Sequence, residues 1–332
     1  MTPKQAPDSG ALSDQTTVRR CSPVSGGKRR FYMKYLKERI KFITACVLYG
    51  TMGLFLRFVS LPGEAVALYI GSIGALFVLL CRLVKKGRPD SDAIRKNAVW
   101  LVISGAALGL NWIFLFAAFA GTTVAVASLC NYMAPIIVII LAPIVLKEKP
   151  DKRKIPCIAA AFIGIALVSG IPSGEIADSR GIAFGLAGAC CFTVIVFSNR
   201  KLRDISVTDR AFVQLAAAAA AVLPVVLIKN RGLPLPDVRS GLIICMLGVL
   251  HTGLAYCLYF SGLANLPVQS SAILGYTDPV VSVLCSVVFL HEPLRWYGWI
   301  GAALIIVSAA VSETMPGGID PVDTAVPDHK SY

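Results

Sequence analysis

Ten apolar runs, most of them close to the length needed to cross a bilayer, succeed one another through this chain and dictate what it can become. They lie at about 40–59, 64–84, 97–119, 122–146, 155–172, 181–199, 210–228, 240–262, 268–290 and 296–313. A helix rises about 1.5 Å per residue and a hydrocarbon core is about 30 Å thick, so about twenty apolar residues span it. In lipid every backbone N–H and C=O has to be satisfied internally, which leaves the helix as the form open to such runs. The loops between them are short, often a Pro/Gly pair such as Leu61-Pro62-Gly63. Of the 332 residues 56% are hydrophobic and 15% charged, with a mean hydropathy of +0.70. A soluble domain carries roughly 25% charged residues. The expected fold class is therefore an all-α polytopic membrane protein with ten transmembrane helices.

The second half repeats the first. Subtracting 144 maps Pro279 onto Pro135, and the register holds without a gap for about fifty residues. Identical pairs include Gly109/Gly253, Phe116/Phe260, Tyr132/Tyr276, Leu146/Leu290, Glu148/Glu292 and Ala159/Ala303. Each half holds five runs, an odd number, so the two copies must insert in opposite directions. The expected architecture is two inverted five-helix repeats, which lets one central site open to either side in turn.

The net charge of +13 suggests nucleic acid at first sight, but the basic residues fall in short loops, where topology signals belong. With the N-terminus inside, fifteen Lys and Arg lie in inward loops (Arg82–Lys96, Lys147–Lys154, Arg200–Arg210) and five in outward ones (Arg180, Lys229, Arg231, Arg239, Arg295). Both termini are thus expected to be cytoplasmic. Residues 1–39 read as a disordered basic N-terminal segment and 314–332 as a C-terminal tail, flanking repeats at 40–173 and 181–313. Lys28-Arg29-Arg30-Phe31-Tyr32-Met33-Lys34 has the look of a twin-arginine signal. The run after it is of full span length without a small-residue cleavage site, which favours a basic cytoplasmic flank. Met33, leading straight into the first run, is an alternative start to Met1. The ten cysteines form no CxxC or Cys/His spacing, which argues for packing rather than metal or disulfide roles. No cofactor is expected, and no GxxxxGK[ST] loop is present to bind ATP.

Polar groups inside the runs are few, and Asp278 is the sharpest. It sits almost midway along Val268–Leu290, directly before Pro279. A charge at that depth costs about 2.5–3.5 kcal/mol even on the lenient insertion scale, so it should face protein or water. Ser271, Gly275, Asp278, Ser282 and Ser286 share one small, polar helical face, the mark of a solute or ion pathway. Pro279 and its repeat mate Pro135 free backbone carbonyls and are candidate hinges. Asp278 is also where the halves differ, since Ala134 is its partner. His251 could relay protons, or simply be hydrogen-bonded between helices. Asn111 and Asn131 are candidate cavity groups. Tyr49, Trp112, Tyr132, Tyr256 and Tyr276 could wall a pocket, the repeat pairing Trp112 with Tyr256 and Tyr132 with Tyr276; core packing is an equal reading for any one of them. An aromatic pocket with one acid suits a cationic or zwitterionic organic solute. Arg57 is expected to snorkel from the end of the first run. Trp296, Tyr297 and Trp299 read as interfacial anchors, and Glu148 and Glu292 as structural.

Over residues 40–313 the chain resembles the EamA branch of the drug/metabolite transporter superfamily. The resemblance is carried by Tyr49-Gly50-Thr51-Met52-Gly53, Asn131-Tyr132-Met133-Ala134-Pro135, Leu146-Lys147-Glu148-Lys149, Asn199-Arg200-Lys201, Asp278-Pro279-Val280 and Leu290-His291-Glu292. Two positions depart from the family pattern. Tyr69-Ile70-Gly71 stands where many members carry Arg after an aromatic, and His291 stands for the glycine of the Leu-Gly-Glu signature. The resemblance implies a secondary carrier in a bacterial inner membrane, not an enzyme, moving a small metabolite by alternating access. Its partners would be that metabolite, protons and membrane lipid, with no nucleic acid and no ATP. Export of an amino acid or related amine is the first reading, and uptake of a quaternary or other organic cation the second. A non-transporting scaffold or sensor is the reading from another class, and it would have no need of a mid-membrane Asp-Pro in an inverted repeat.

Overall fold

The computed structural model describes residues 25–84, 89–145, 153, 155–168, 179–266 and 274–314, with backbone alone at 25–35, 263–265 and 312–314. Every regular element among them is helical. In chain order these are α1 (Ser25–Leu56), α2 (Gly63–Val84), α3 (Ser91–Gly121), α4 (Val124–Asn131), α5 (Ala134–Val145), α6 (Ile155–Val168), α7 (Ser179–Asn199) and α8 (Val207–Lys229). There follow α9 (Val238–Met246), a π-helical stretch Leu247–Leu254, α10 (Ala255–Asn265), α11 (Thr277–Leu284), a second π stretch Cys285–Phe289 and α12 (Trp296–Thr314). Among the described residues seven helical stretches are long and apolar enough to cross a membrane, among them Val124–Val145 and Val238–Gly262. Ile155–Val168, Thr277–Phe289 and Trp296–Val311 are shorter apolar helices.

Helix α1 begins at Ser25, so residues 25–39, expected to belong to a disordered segment, are helical. The physical reason is local: after Gly26-Gly27 the chain is rich in Lys and Arg, joined by Met33, Leu36 and Glu38, residue types that lose little side-chain freedom in a helix. Helix α3 likewise starts before its apolar run, because the Asp90 side chain accepts from the backbone N–H of Asp92 and Ala93. Thr123, Ser206 and Asp237 cap α4, α8 and α9 in the same way.

The helices close on one another through small residues. A Cβ on Gly105 would stand 2.5 Å from the Ala217 methyl, and one on Gly109 would stand 2.7 Å from the Ala218 carbonyl oxygen. The alanine run Ala216–Ala221 is thus the surface on which α3 lies. Gly164 of α6 and Gly301 of α12 approach backbone to backbone in the same manner. With lipid as apolar as any side chain, such close packing rather than hydrophobicity holds helices together. The distribution of polarity is the reverse of a soluble protein's. Val102, Ile144, Ile228 and Leu242 point outward, while Ser104, Asn111, Gln214, His251, Thr252 and Ser286 are buried.

Candidate functional site

The chain turns at Tyr276, and α11 begins at the next residue, placing Asp278 in its first turn. There the unpaired backbone N–H groups and the helix dipole favour a carboxylate. Pro279 lies in the same turn, where a missing N–H costs nothing. The equivalent break in the first half falls at Tyr132–Met133, between α4 and α5, with Pro135 in the first turn of α5. Each break therefore sits at the tyrosine three residues before the proline, not at the proline itself.

Asp278 is half-buried, enclosed by protein yet partly accessible. The Tyr132 hydroxyl donates to its carboxylate. Cys46 and Tyr49 of α1 lie beside it. The Tyr49 ring is tilted against Tyr259 of α10, with centroids 5.9 Å apart. The whole arrangement depends on Gly50, since a Cβ there would meet the Asp278 carbonyl oxygen at 2.6 Å. Of the sequence-derived candidates, the structure thus gathers Tyr49, Tyr132 and Asp278, and adds Cys46 and Tyr259.

The other candidates are placed elsewhere or committed to neighbours. Asn111 donates to Asn131 Oδ1 (3.0 Å) and to the Gly188 carbonyl (2.8 Å), tying α3, α4 and α7 together. Trp112 is buried against Gly71. Tyr256 donates to Gln214 Oε1 at 2.8 Å, while the Gln214 amide nitrogen donates to Ser104 Oγ and Asn199 Oδ1, both at 2.6 Å. Tyr276 packs in a cluster with Met133, Ala134, Ala161 and Ala189. His251 lies on the first π stretch, its Nε2 3.1 Å from Thr51 Oγ1 and its ring edge-on to Phe55. The polar face of the ninth run is not an open channel along its length. Ser282 is bonded to Ser128 at 2.6 Å and Ser286 to Glu292 at 2.6 Å, both serines being buried, and Ser271 lies outside the described residues.

Arg57 does not snorkel. Its guanidinium pairs with Glu292 Oε1 at 2.5 Å and donates to the Thr122 carbonyl at 3.0 Å. Glu292 also accepts from the Val124 backbone N–H (2.8 Å), so one carboxylate joins α1, α4 and the end of the second π stretch. Its repeat mate Glu148 lies outside the described residues. Arg210 is the residue the sequence misassigned: counted as a loop charge, it is 5% exposed inside α8. The spacing could have found it, because Arg210/Gln214 and Tyr256/Phe260 are i,i+4 pairs on facing helices. Removing it from the loop count leaves fourteen inward against five outward, and the bias stands.

Two stretches of the chain, residues 37–170 and 179–314, match the EamA-like transporter family. The chain belongs to that family. Among its relatives are the "uncharacterized transporter YxxF" of Bacillus subtilis, 24% identical across 82% of this chain and 88% of that one, and an "uncharacterized transporter" of Archaeoglobus fulgidus, 28% identical across 84% and 97%. Protein PecM of Dickeya dadantii is 29% identical across 62% of this chain and 72% of its own. A protein of known crystal structure superposes with a TM-score of 0.60 at 21% identity, covering 83% of this chain and 96% of that one, which is a likeness of fold. With its relatives in the EamA-like family, this chain is a multi-pass membrane transporter of small molecules and not an enzyme.

Proposed function

We propose that this EamA-like protein is a secondary carrier that exports an amino acid or related amine across a bacterial inner membrane by alternating access. Its ten spans would form two inverted five-helix repeats, at about 40–173 and 181–313, with both termini in the cytoplasm. The observation that carries the reading is Asp278, a half-buried acid at the start of a broken helix, met by Tyr132 from the matching break of the other half. A fixed site where two half-helices begin is what alternating access needs, and the acid supplies a counter-charge for an ammonium group or a proton. Tyr49, Tyr132 and Tyr259 around it also suit a quaternary cation, which keeps uptake of an organic cation as the second reading. Moving one charge through 100 mV supplies about 2.3 kcal/mol, so an ion gradient is a sufficient drive.

The test is transport by the purified protein in liposomes, using a panel of labelled amino acids and amines with and without a pH gradient. Asp278→Asn keeps the shape and much of the hydrogen bonding but removes the charge. If the acid couples protons, this variant exchanges solute for solute yet loses accumulation driven by the gradient. If it neutralises a cationic group of the solute, exchange itself falls at least tenfold. Wild-type behaviour in both assays would remove Asp278 from the site.

A further inference from the structure

Helix α1, helix α4 and the ninth run meet at Asp278, and they are fastened to one another in steps that lead from the acid toward one end of the bundle. Nearest the acid, Gly50 of α1 lies against Val281, where a Cβ would come within 2.8 Å of the valine Cβ. One turn beyond Asp278 and one turn before Tyr132, the buried hydroxyls of Ser282 and Ser128 are bonded at 2.6 Å. Next, Gly53 seats Val124: a Cβ there would stand 2.6 Å from Val124 Cγ1. Outermost is the Glu292 carboxylate. It takes Arg57 from α1, the Val124 N–H from α4 and the Ser286 hydroxyl from the ninth run itself. From Asp278 to Glu292 the seam between these elements is shut.

The bonds that close this seam differ in kind from those around Gln214, whose partners Ser104, Asn199 and Tyr256 are all buried with it. The outermost cluster of the seam is wetted: the Arg57 and Glu292 side chains keep 34% and 16% of their surface exposed. Water can replace each partner as the cluster opens, and an ion pair so placed adds little to stability. Ser128 and Ser282 need only exchange one hydroxyl partner for water. A contact that breaks in every cycle of a carrier has to break at little cost, and it has to join the elements that hold the solute. This seam does both. We propose that it is the carrier's gate on the Arg57 side, which the orientation proposed above makes periplasmic. To open it, α1 parts from α4 and the ninth run, water takes over Arg57 and Glu292, and Asp278 is reached from that side. This rests on the carrier reading above and assigns the contacts that such a carrier breaks.

The test is a disulfide across the seam. In a cysteine-free background, Ser128→Cys with Ser282→Cys should oxidise, since hydroxyls 2.6 Å apart bring the two Cβ atoms near disulfide range. Exchange of the labelled amino acids and amines in proteoliposomes should fall at least tenfold on oxidation with copper phenanthroline and return with dithiothreitol. Gly71→Cys with Ala219→Cys is the comparison. A Cβ on Gly71 stands 3.5 Å from the Ala219 methyl, and α2 and α8 are already pinned near both ends by Arg82–Asp209 and Lys229–Glu64. Oxidation there should leave exchange within twofold. Separately, Ser282→Cys alone should react with a maleimide at least tenfold faster in purified protein that also carries Glu292→Gln. Ser104→Cys, a buried position in α3, should react no faster in that company. A seam pair that fails to oxidise, one that exchanges equally well in both states, or equal loss at the comparison pair would each overturn the gate and leave the carrier reading standing. Equal acceleration at both buried cysteines would make the ion pair a structural brace, and no acceleration would mean that it closes nothing; either overturns the gate as well. Should the wild type exchange none of the panel, the carrier reading falls and the gate with it.

Discussion

A methyl group on Gly50 would meet the Asp278 carbonyl oxygen at 2.6 Å and the Val281 Cβ at 2.8 Å. Neither neighbour is the free end of a flexible side chain, so Gly50→Ala has to move α1 away from the break in the ninth run. Overpacking of this kind costs about 1–3 kcal/mol. The expected outcome is a lower melting temperature together with slower exchange of every solute, because the displaced helix carries Tyr49. A variant as stable and active as the wild type would show that α1 does not press on the acid. His291 is another residue whose identity has a backbone reason. It has φ of 53°, a left-handed conformation in which a Cβ is strained. The family's glycine at this point of the signature answers that need, and histidine is among the side chains that tolerate it best. Asp278 stands out in the sequence because an acid amid apolar residues is costly to bury, whether it serves a solute or only bonds a neighbouring helix. Arg210 does not, because a basic residue at the edge of an apolar run looks like a topology signal until a neighbouring helix is seen to cover it.

Among the elements, long apolar stretches announced themselves: the runs at 64–84, 181–199 and 210–228 correspond to α2, α7 and α8 within a few residues. The breaks at Tyr132 and Tyr276 were displaced from the prolines that signalled them, since proline is accepted in the first turn of the helix that follows. The π stretches left no signal. Leu247–Leu254 is as apolar as any regular helix, and its widened turn accompanies the close seating of Gly248 and Thr252 on α2, a contact between distant parts of the chain. Such wide turns concentrate at functional sites, and this one carries His251. Energetically the most exposed junction between elements is the Arg57–Glu292 cluster. Glu292→Ala strands Arg57, the Ser286 hydroxyl and the Val124 N–H together, and should destabilise by about 2 kcal/mol. In an Arg57→Ala background the same change should cost about half as much, the remainder belonging to Ser286 and Val124. Equal costs in the two backgrounds, by thermal or denaturant melting, would mean the ion pair contributes nothing of its own.

At the scale of the whole molecule the prediction is one of sidedness. Lys201 follows α7 and Arg231 follows α8, both exposed, with a full apolar helix between them. With cysteine introduced singly at these positions in a cysteine-free background, a membrane-impermeant maleimide added to intact cells should label the residue 231 site at once. The residue 201 site should react only after permeabilisation. The reverse pattern would invert the proposed orientation, and labelling at both sites would mean that α8 does not span. The glutamine bonded to Ser104, Asn199 and Tyr256 bears on what happens between the two sides. Fully buried, it links α3, α7, α8 and α10 through donors and acceptors that are all used, on top of a glycine–alanine seam with no slack. Sliding α3 along α8 would break that seam and orphan several polar atoms at once. In the proposed carrier the helices around Gln214 would then be the fixed frame, and the moving parts would be the elements that carry Tyr49, Tyr132 and Asp278: α1, the α4–α5 break and α11.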